Sequence, residues 1–285
     1  MNFAPQDWQR DWPAPAKLNL FLHVVGRRAN GYHLLQTLFR LLDFGDTLRF
    51  APRADSAIVL ATPLPGVPPE ADLTVRAARL LQAESGTRQG VTIHVRKRIP
   101  TGGGLGGGSS DAATTLLALN RLWQLGFSRP RLQVLGLALG ADVPVFVAGQ
   151  NAFAEGVGEE LTPVVLPPAS YLILKPPVSV PTAAIFSAPD LCRDTPLMRR
   201  VEWTPDFAGH NDLEPVACRL YPEVAEALDW LRTQTRPAPQ PSRCRMTGSG
   251  ACLFAEFTTP EGKRRAEEIV QKIPAGWQGW VAAGL

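Results

Sequence analysis

The chain has 285 residues, of which 45% are hydrophobic and 19% charged, and its net charge is +3. That length and core-forming fraction describe one large or two ordinary globular domains. The charge is too small, and Lys and Arg too dispersed, for a nucleic-acid-binding surface, and no apolar run approaches the ~18 residues of a membrane span. Four cysteines, Cys192, Cys218, Cys244 and Cys252, lie in the last third without Cys-x-x-Cys spacing, which reads as reduced thiols of a cytoplasmic protein. Asp7, Arg10, Asp11 and Lys17 leave no apolar core for a signal peptide.

In chain order, residues 14–25 predict a strand of period two. Leu18, Leu20, Leu22 and Val24 share one face, and Lys17, Asn19, Phe21 and His23 the other. Lys17 and Asn19 together on that second face are not what a plain sheet surface needs; the alternative is a solvated edge, which for Lys17 alone is the better reading. Arg28-Ala29-Asn30-Gly31 is a turn signal, followed by Tyr32-His33. Such a pair either packs in part or holds a flat ring, one side chain stacking and the other hydrogen-bonding. Leu34–Leu42 and Thr47–Phe50 read as strands, with Asp43-Phe44-Gly45 as a turn between them. Leu73–Ala83 predicts a helix and Val91–Val95 a strand.

Then comes Ile99-Pro100-Thr101-Gly102-Gly103-Gly104-Leu105-Gly106-Gly107-Gly108-Ser109-Ser110-Asp111, opening into a helix over Ala112–Trp123. Glycines between a strand and a helix let backbone N–H groups approach a ligand closely. The unpaired N–H groups of the following first turn then make an anion site, and phosphate is the usual anion. A Walker A loop is excluded, because Gly-x-x-x-x-Gly-Lys-Ser/Thr does not occur. A dinucleotide fold is excluded by context: it wants an acidic residue about 20 positions on, and none occurs between Ala112 and Ala141. A protein kinase is excluded because no His-Arg-Asp loop exists.

Arg131–Leu139 predicts a second helix, ending at Gly140. Asp142 then precedes Val143-Pro144, the place of a helix N-cap with proline in the first turn. Ala152–Glu160 reads as a strand and a turn, Tyr171–Leu174 as an apolar strand, and Thr182–Phe186 as a short helix start. Residues 190–242 read as helical and irregular, with Asn211-Asp212-Leu213-Glu214 capping a helix. Thr247-Gly248-Ser249-Gly250-Ala251 is a second glycine turn, read as a tight hairpin. The strand Cys252–Phe257, a helix over Pro260–Ile273 and the strand Trp280–Ala283 complete a small split βαβ pattern.

Five motifs stand in a shared order and spacing: Pro15-Ala16-Lys17-Leu18-Asn19-Leu20, Gly31-Tyr32-His33, Gly102 to Asp111, Gly140-Ala141-Asp142-Val143-Pro144-Val145-Phe146, and Thr247-Gly248-Ser249-Gly250-Ala251. Together they resemble the 4-diphosphocytidyl-2-C-methyl-D-erythritol kinase family, within the superfamily of galactokinase, homoserine kinase, mevalonate kinase and phosphomevalonate kinase. The glycine loop alone points only to the superfamily.

The resemblance implies an α+β fold of two domains, the first like ribosomal S5 domain 2 and the second ferredoxin-like, with the active-site cleft between them. The boundary is expected at 163/164, giving an ATP-binding domain 1–163 and a substrate-side domain 164–285. It implies ATP as co-substrate with Mg²⁺, whose ligands the sequence leaves open. The acceptor would be the 2-hydroxyl of the cytidine diphosphate methylerythritol substrate, in the non-mevalonate route to isoprenoid precursors. A homoserine- or mevalonate-type kinase is the alternative. Lys17 and Asp142 match the catalytic pair; Lys97, Gly102, Gly103, Gly104, Leu105, Gly106, Gly107, Gly108, Ser109 and Ser110 match the ATP site; Asn19, Tyr32, His33, Thr182 and Phe186 match the substrate site. Cytosine is expected between the rings of Tyr32 and Phe186, with His33 reading its edge. Asp72 departs from the pattern, which has an adenine-contacting Asn before Leu73. Partners are small molecules only, with no nucleic acid and no membrane, and the state a monomer or homodimer.

Overall fold

The computed structural model describes residues 8–29, 31–64, 66–198, 209–236 and 243–285. Asp7 of the N-terminal charge set, Asn30 of the first turn, and residues 199–208 and 237–242 of the irregular region lie outside them. Two compact units divide the chain, one comprising 1–16, 44–99 and 106–149, the other 17–43, 100–105 and 150–285. Strands β1 (Trp12–Arg27) and β2 (His33–Arg53) each contribute residues to both.

In the first unit, Thr47–Arg53 of β2 pairs antiparallel with β4 (Gly90–Arg96), and β3 (Ile58–Leu60) pairs parallel with β4. Helix α1 (Leu73–Ser85) packs along α2 (Gly107–Leu122), and α3 (Arg129–Leu137) and α4 (Val143–Ala148) follow. Asp72 starts α1: its Oδ1 accepts from the Thr74 amide at 2.8 Å and also from Val75. Gly86 ends the same helix at φ 70°, a left-handed cap that a Cβ disfavours. Val75, Ala78, Leu81, Leu116 and Leu119 bury the facing stripes of the two helices.

In the second unit, Thr37–Phe39 of β2 pairs antiparallel with β5 (Ala152–Glu155), and β5 pairs with β6 (Glu160–Pro163). A separate antiparallel sheet has the order β10 (Gln278–Ala283), β7 (Ser170–Lys175), β9 (Leu253–Phe257), β8 (Cys244–Met246). Leu172 and Leu174 of β7 alternate with Tyr171 and Ile173, and all four are buried, as a central strand covered on both faces requires. Helices α7 (Pro222–Gln234) and α8 (Pro260–Val270) pack against this sheet, with α5 (Thr182–Phe186) and α6 (Glu214–Leu220) preceding α7.

Four expectations are corrected. Asp43-Phe44-Gly45 is no turn but the middle of β2, a single 21-residue strand. Gly45 is there because a Cβ would stand 2.3 Å from the Ala14 carbonyl oxygen of β1. The second face of β1 is not solvated: Lys17 is 3% exposed, Asn19 2% and His23 5%. The Asn211–Glu214 run does not cap α6 through its acids. Leu213 holds the N-cap position without a side-chain bond, Asn211 Oδ1 turns the chain by accepting from the Leu213 amide, and Asp212 Oδ2 accepts from Val24 N of β1 at 2.6 Å. The second glycine turn joins antiparallel β8 and β9 but is not a tight hairpin, since residues 247–252 lie between the strands; Gly248 and Gly250 do take positive φ, 56° and 89°.

No disulfide joins the four cysteines, all of them described. Among the described residues no helix is long and apolar enough to cross a membrane. Replacing Gly45 by Ala should lower unfolding free energy by about 1–3 kcal/mol, because backbone, not a flexible side chain, must yield. A urea unfolding curve with unchanged midpoint would show that β1 and β2 separate freely there.

Candidate active site

The glycine loop begins within the second unit and crosses into the first between Leu105 and Gly106. Gly102, Gly104 and Gly106 take φ of 65°, 71° and 74°, so positive and ordinary backbone alternate. Helix α2 begins at Gly107, earlier than the sequence suggested, and Ser110 N makes its first bond to Gly106 O at 2.8 Å. The amides of Gly107, Gly108 and Ser109 therefore have no acceptor in their own helix, at its positive end. Ser110 is buried and its hydroxyl donates to the Pro15 carbonyl at 2.7 Å, so it fastens α2 to β1. Leu105, 1% exposed, anchors the loop by its side chain, and its carbonyl accepts from Lys17 N at 3.0 Å.

Some of these glycines answer to protein neighbours. A Cβ on Gly103 would stand 2.6 Å from Cys252 Sγ, and one on Gly104 2.3 Å from Thr247 O. The second glycine turn lies against them: Ala251 N and Cys252 N donate to the carbonyls of Gly102 and Gly103, each at 3.2 Å. Gly108 is different, since its nearest neighbour would be the Leu73 side chain at 3.4 Å.

Lys97 sits beside the start of α2, its Nζ 3.4 Å from where a Cβ on Gly107 would stand. It donates to Asp46 Oδ2 at 2.5 Å and Asp111 Oδ2 at 2.7 Å. The other oxygen of Asp46 accepts from the amides of Arg98 and Ile99, at 2.5 and 2.8 Å. Burial pushes the Asp111 carboxyl up to about 7 even though Lys97 favours its charge, and nearby Asp46 pushes the same way. Burial works against the Lys97 ammonium, but the two carboxylates outweigh it and its pKa lies above the ordinary value. Asp142 occupies the N-cap position of α4, ahead of Pro144, yet makes no side-chain cap bond to that helix, so the capping role is not the one it plays.

In the second unit, Lys17 Nζ donates to Asn19 Oδ1 at 2.5 Å and lies 5.4 Å from the centre of the Phe39 ring. Thr37 Oγ1 donates to Phe21 O, so toward Asn19 it must accept, and it takes the Nδ2 proton at 2.9 Å. That fixes the amide with its oxygen toward the ammonium. The Asn19 backbone amide donates to Thr247 Oγ1 at 2.9 Å, which brings the first motif to the second glycine turn. Thr182 reaches the same turn, its hydroxyl 2.8 Å from that of Ser249.

Tyr32 is 64% exposed, whereas His33 is half-buried with its ring 4.9 Å from that of Phe186 at 32°. The imidazole and the Phe186 ring thus lie side by side at a tilt. Arg193 Nε donates to His33 Nε2 at 3.1 Å. Sequence reasoning missed Asp46, Arg193, Thr247 and Ser249. Thr247 and Ser249 stood in a recognised motif, and Asp111 followed the loop; Asp46 and Arg193 had no local signal.

Two family models match the chain, GHMP kinases N terminal domain over residues 72–150 and GHMP kinases C terminal over residues 201–278. The 4-diphosphocytidyl-2-C-methyl-D-erythritol kinase of Dechloromonas aromatica (strain RCB) is 64% identical over 96% of this chain and 96% of its own. That of Nitrosospira multiformis is 63% identical over 96% of this chain and 90% of its own. A crystal structure of 4-(cytidine 5'-diphospho)-2C-methyl-D-erythritol kinase superposes with a TM-score of 0.79 at 36% identity, covering 96% of this chain and 99% of that one. A homoserine kinase from Cytophaga hutchinsonii shares the fold, with a TM-score of 0.69 at 17% identity over 95% and 93% of the two chains. With its N- and C-terminal GHMP kinase regions and its full-length likeness to these relatives, the chain belongs to the 4-diphosphocytidyl-2-C-methyl-D-erythritol kinase family.

Proposed function

We propose that this protein transfers the terminal phosphoryl group of ATP to the 2-hydroxyl of 4-diphosphocytidyl-2-C-methyl-D-erythritol, giving the 2-phosphate and ADP. The observation behind the reading is identity of 64% along 96% of the chain with a relative of that name. Phosphoryl transfer asks for positioning and charge stabilisation more than for covalent chemistry by the protein. The free amides at the start of α2 supply the phosphate cradle, and Lys97 stands beside them. The half-buried Ser109 hydroxyl on the first turn of α2 would be the oxygen donor suited to hold Mg²⁺, which would neutralise phosphate charge, since Asp111 is buried and engaged by Lys97.

In this reading Asp142 takes the proton from the attacking hydroxyl, and Lys17 orients that hydroxyl and offsets charge on the transferring group. His33, Phe186, Tyr32, Thr182 and Asn19 serve the substrate. The division at 163/164 marks the functional domains. The second sheet places its strands in the order fourth, first, third, second, all antiparallel, with α7 and α8 in the two crossovers. That order supports a ferredoxin-like C-terminal domain, and in the same reading the first domain is S5-like.

A positioned base typically contributes about 10²–10⁴-fold. Asp142→Asn should lower kcat by that range in a coupled ADP-release assay, with both KM values nearly kept; normal turnover with a lowered melting temperature would make it structural. Lys17→Met should also lose turnover, and with it about 1–3 kcal/mol of stability, because the buried Asn19 oxygen loses its donor. The glycines separate cradle from packing. Gly108→Ala should raise the KM for ATP with stability nearly unchanged, whereas Gly104→Ala should destabilise the fold by collision with Thr247. Unaltered ATP binding by calorimetry in folded Gly108→Ala would remove the cradle from this loop.

A further inference from the structure

Arg193 lies in the irregular stretch after α5, half-buried, and its guanidinium donates to no carboxylate among its described contacts. It donates instead to three backbone carbonyls, Nη1 to Leu191 O at 3.0 Å and Nη2 to Phe186 O at 3.1 Å and Ala188 O at 2.6 Å. The fourth bond, from Nε, ends on His33 Nε2 at 3.1 Å, across 160 residues of sequence. A planar, always protonated fork makes these bonds together, where a lysine ammonium would not span them.

The consequence for His33 is chemical. A guanidinium N–H only donates, so His33 Nε2 must hold its lone pair toward it, and the neutral ring carries its proton on Nδ1. Burial disfavours the imidazolium, and the charges of Arg193 and of Arg27 on β1 disfavour it further, holding the His33 pKa below its ordinary value. The same guanidinium holds the carbonyl of Phe186, whose ring lies along the imidazole. One side chain therefore sets the position of both rings and the direction of the one ring proton.

We propose that Arg193 is a positioning residue for substrate recognition: it fixes His33 as the Nδ1–H tautomer against Phe186, so that a donor is aimed at an acceptor on the edge of a pyrimidine base before substrate arrives. This rests on the reading that His33 and Phe186 serve the cytidine end of the substrate, and it adds what prepares them. In water the free imidazole prefers its proton on Nε2, so the fixed tautomer is one the protein must impose.

The test has two independent arms. Long-range ¹⁵N–¹H correlation on the histidine-labelled protein should show His33 protonated at Nδ1 in the wild type and shifted toward Nε2 in Arg193→Met. A wild-type ring protonated at Nε2 would overturn the proposal whatever the variant does. In the kinetic arm, Arg193→Met should raise the KM for the cytidine substrate about tenfold, with kcat within twofold and the KM for ATP unchanged. Arg193→Lys should recover less than half of that loss, since it cannot replace the fork. Equal rises in both KM values, or none, would make Arg193 a structural tether and sink the idea. Should the wild type fail to phosphorylate the cytidine substrate, the function reading fails and the tautomer result still stands on its own.

Discussion

An ammonium group taken out of water must find its solvation in the protein, and Lys17 is such a group. The cost of leaving it without partners runs to several kcal/mol, so the surrounding polar groups are fixed by its presence. Asn19 turns its oxygen to the ammonium, which obliges Thr37 to accept from the amide and to pass its own proton to Phe21. Thr247 receives the Asn19 backbone proton and thereby seats the second glycine turn. That turn in turn lies on the carbonyls of Gly102 and Gly103. The first motif from Lys17 onward, the Gly102–Leu105 part of the glycine loop and the last motif, scattered from residue 17 to residue 252, are one hydrogen-bonded assembly inside the second unit.

A different logic governs the charges beside α2. A cation near the positive end of a helix is unfavourable by itself. Asp46 and Asp111 reverse the local balance, and because Asp46 also accepts the backbone amides of Arg98 and Ile99, the segment leading into the loop is tied to Lys97.

Much of this was legible in the sequence, and for local reasons. The short helix at Thr182–Phe186 and the strand at Tyr171–Leu174 follow from composition over a few residues, and the glycine loop declared its place between strand and helix. Asp72, which departs from the family pattern, has a plain local use as the α1 cap. The misreadings share one cause. Alternation cannot show whether Lys17 on β1 meets solvent, because Thr37, Thr247 and Asp212, which satisfy that strand, lie elsewhere along the chain. Asp43-Phe44-Gly45 carries the local signature of a turn, and nothing nearby announces that the backbone of Ala14 comes against Gly45. Asp46 and Arg193 stayed invisible because their meaning lies in partners 51 and 160 residues away.

The close seating of the two glycine segments also decides which thiol of this protein meets the solvent. Cys252 is buried with its sulfur filling the space a Cβ of Gly103 would take, and burial pushes its thiol up to about 12, so it holds no thiolate at neutral pH. Thiolate is the reactive species, so oxidants and alkylating reagents spare Cys252 and find exposed Cys192 instead. Modification at Cys252 therefore occurs only in molecules whose two glycine segments have come apart, which turns a silent core thiol into a counter of that opening.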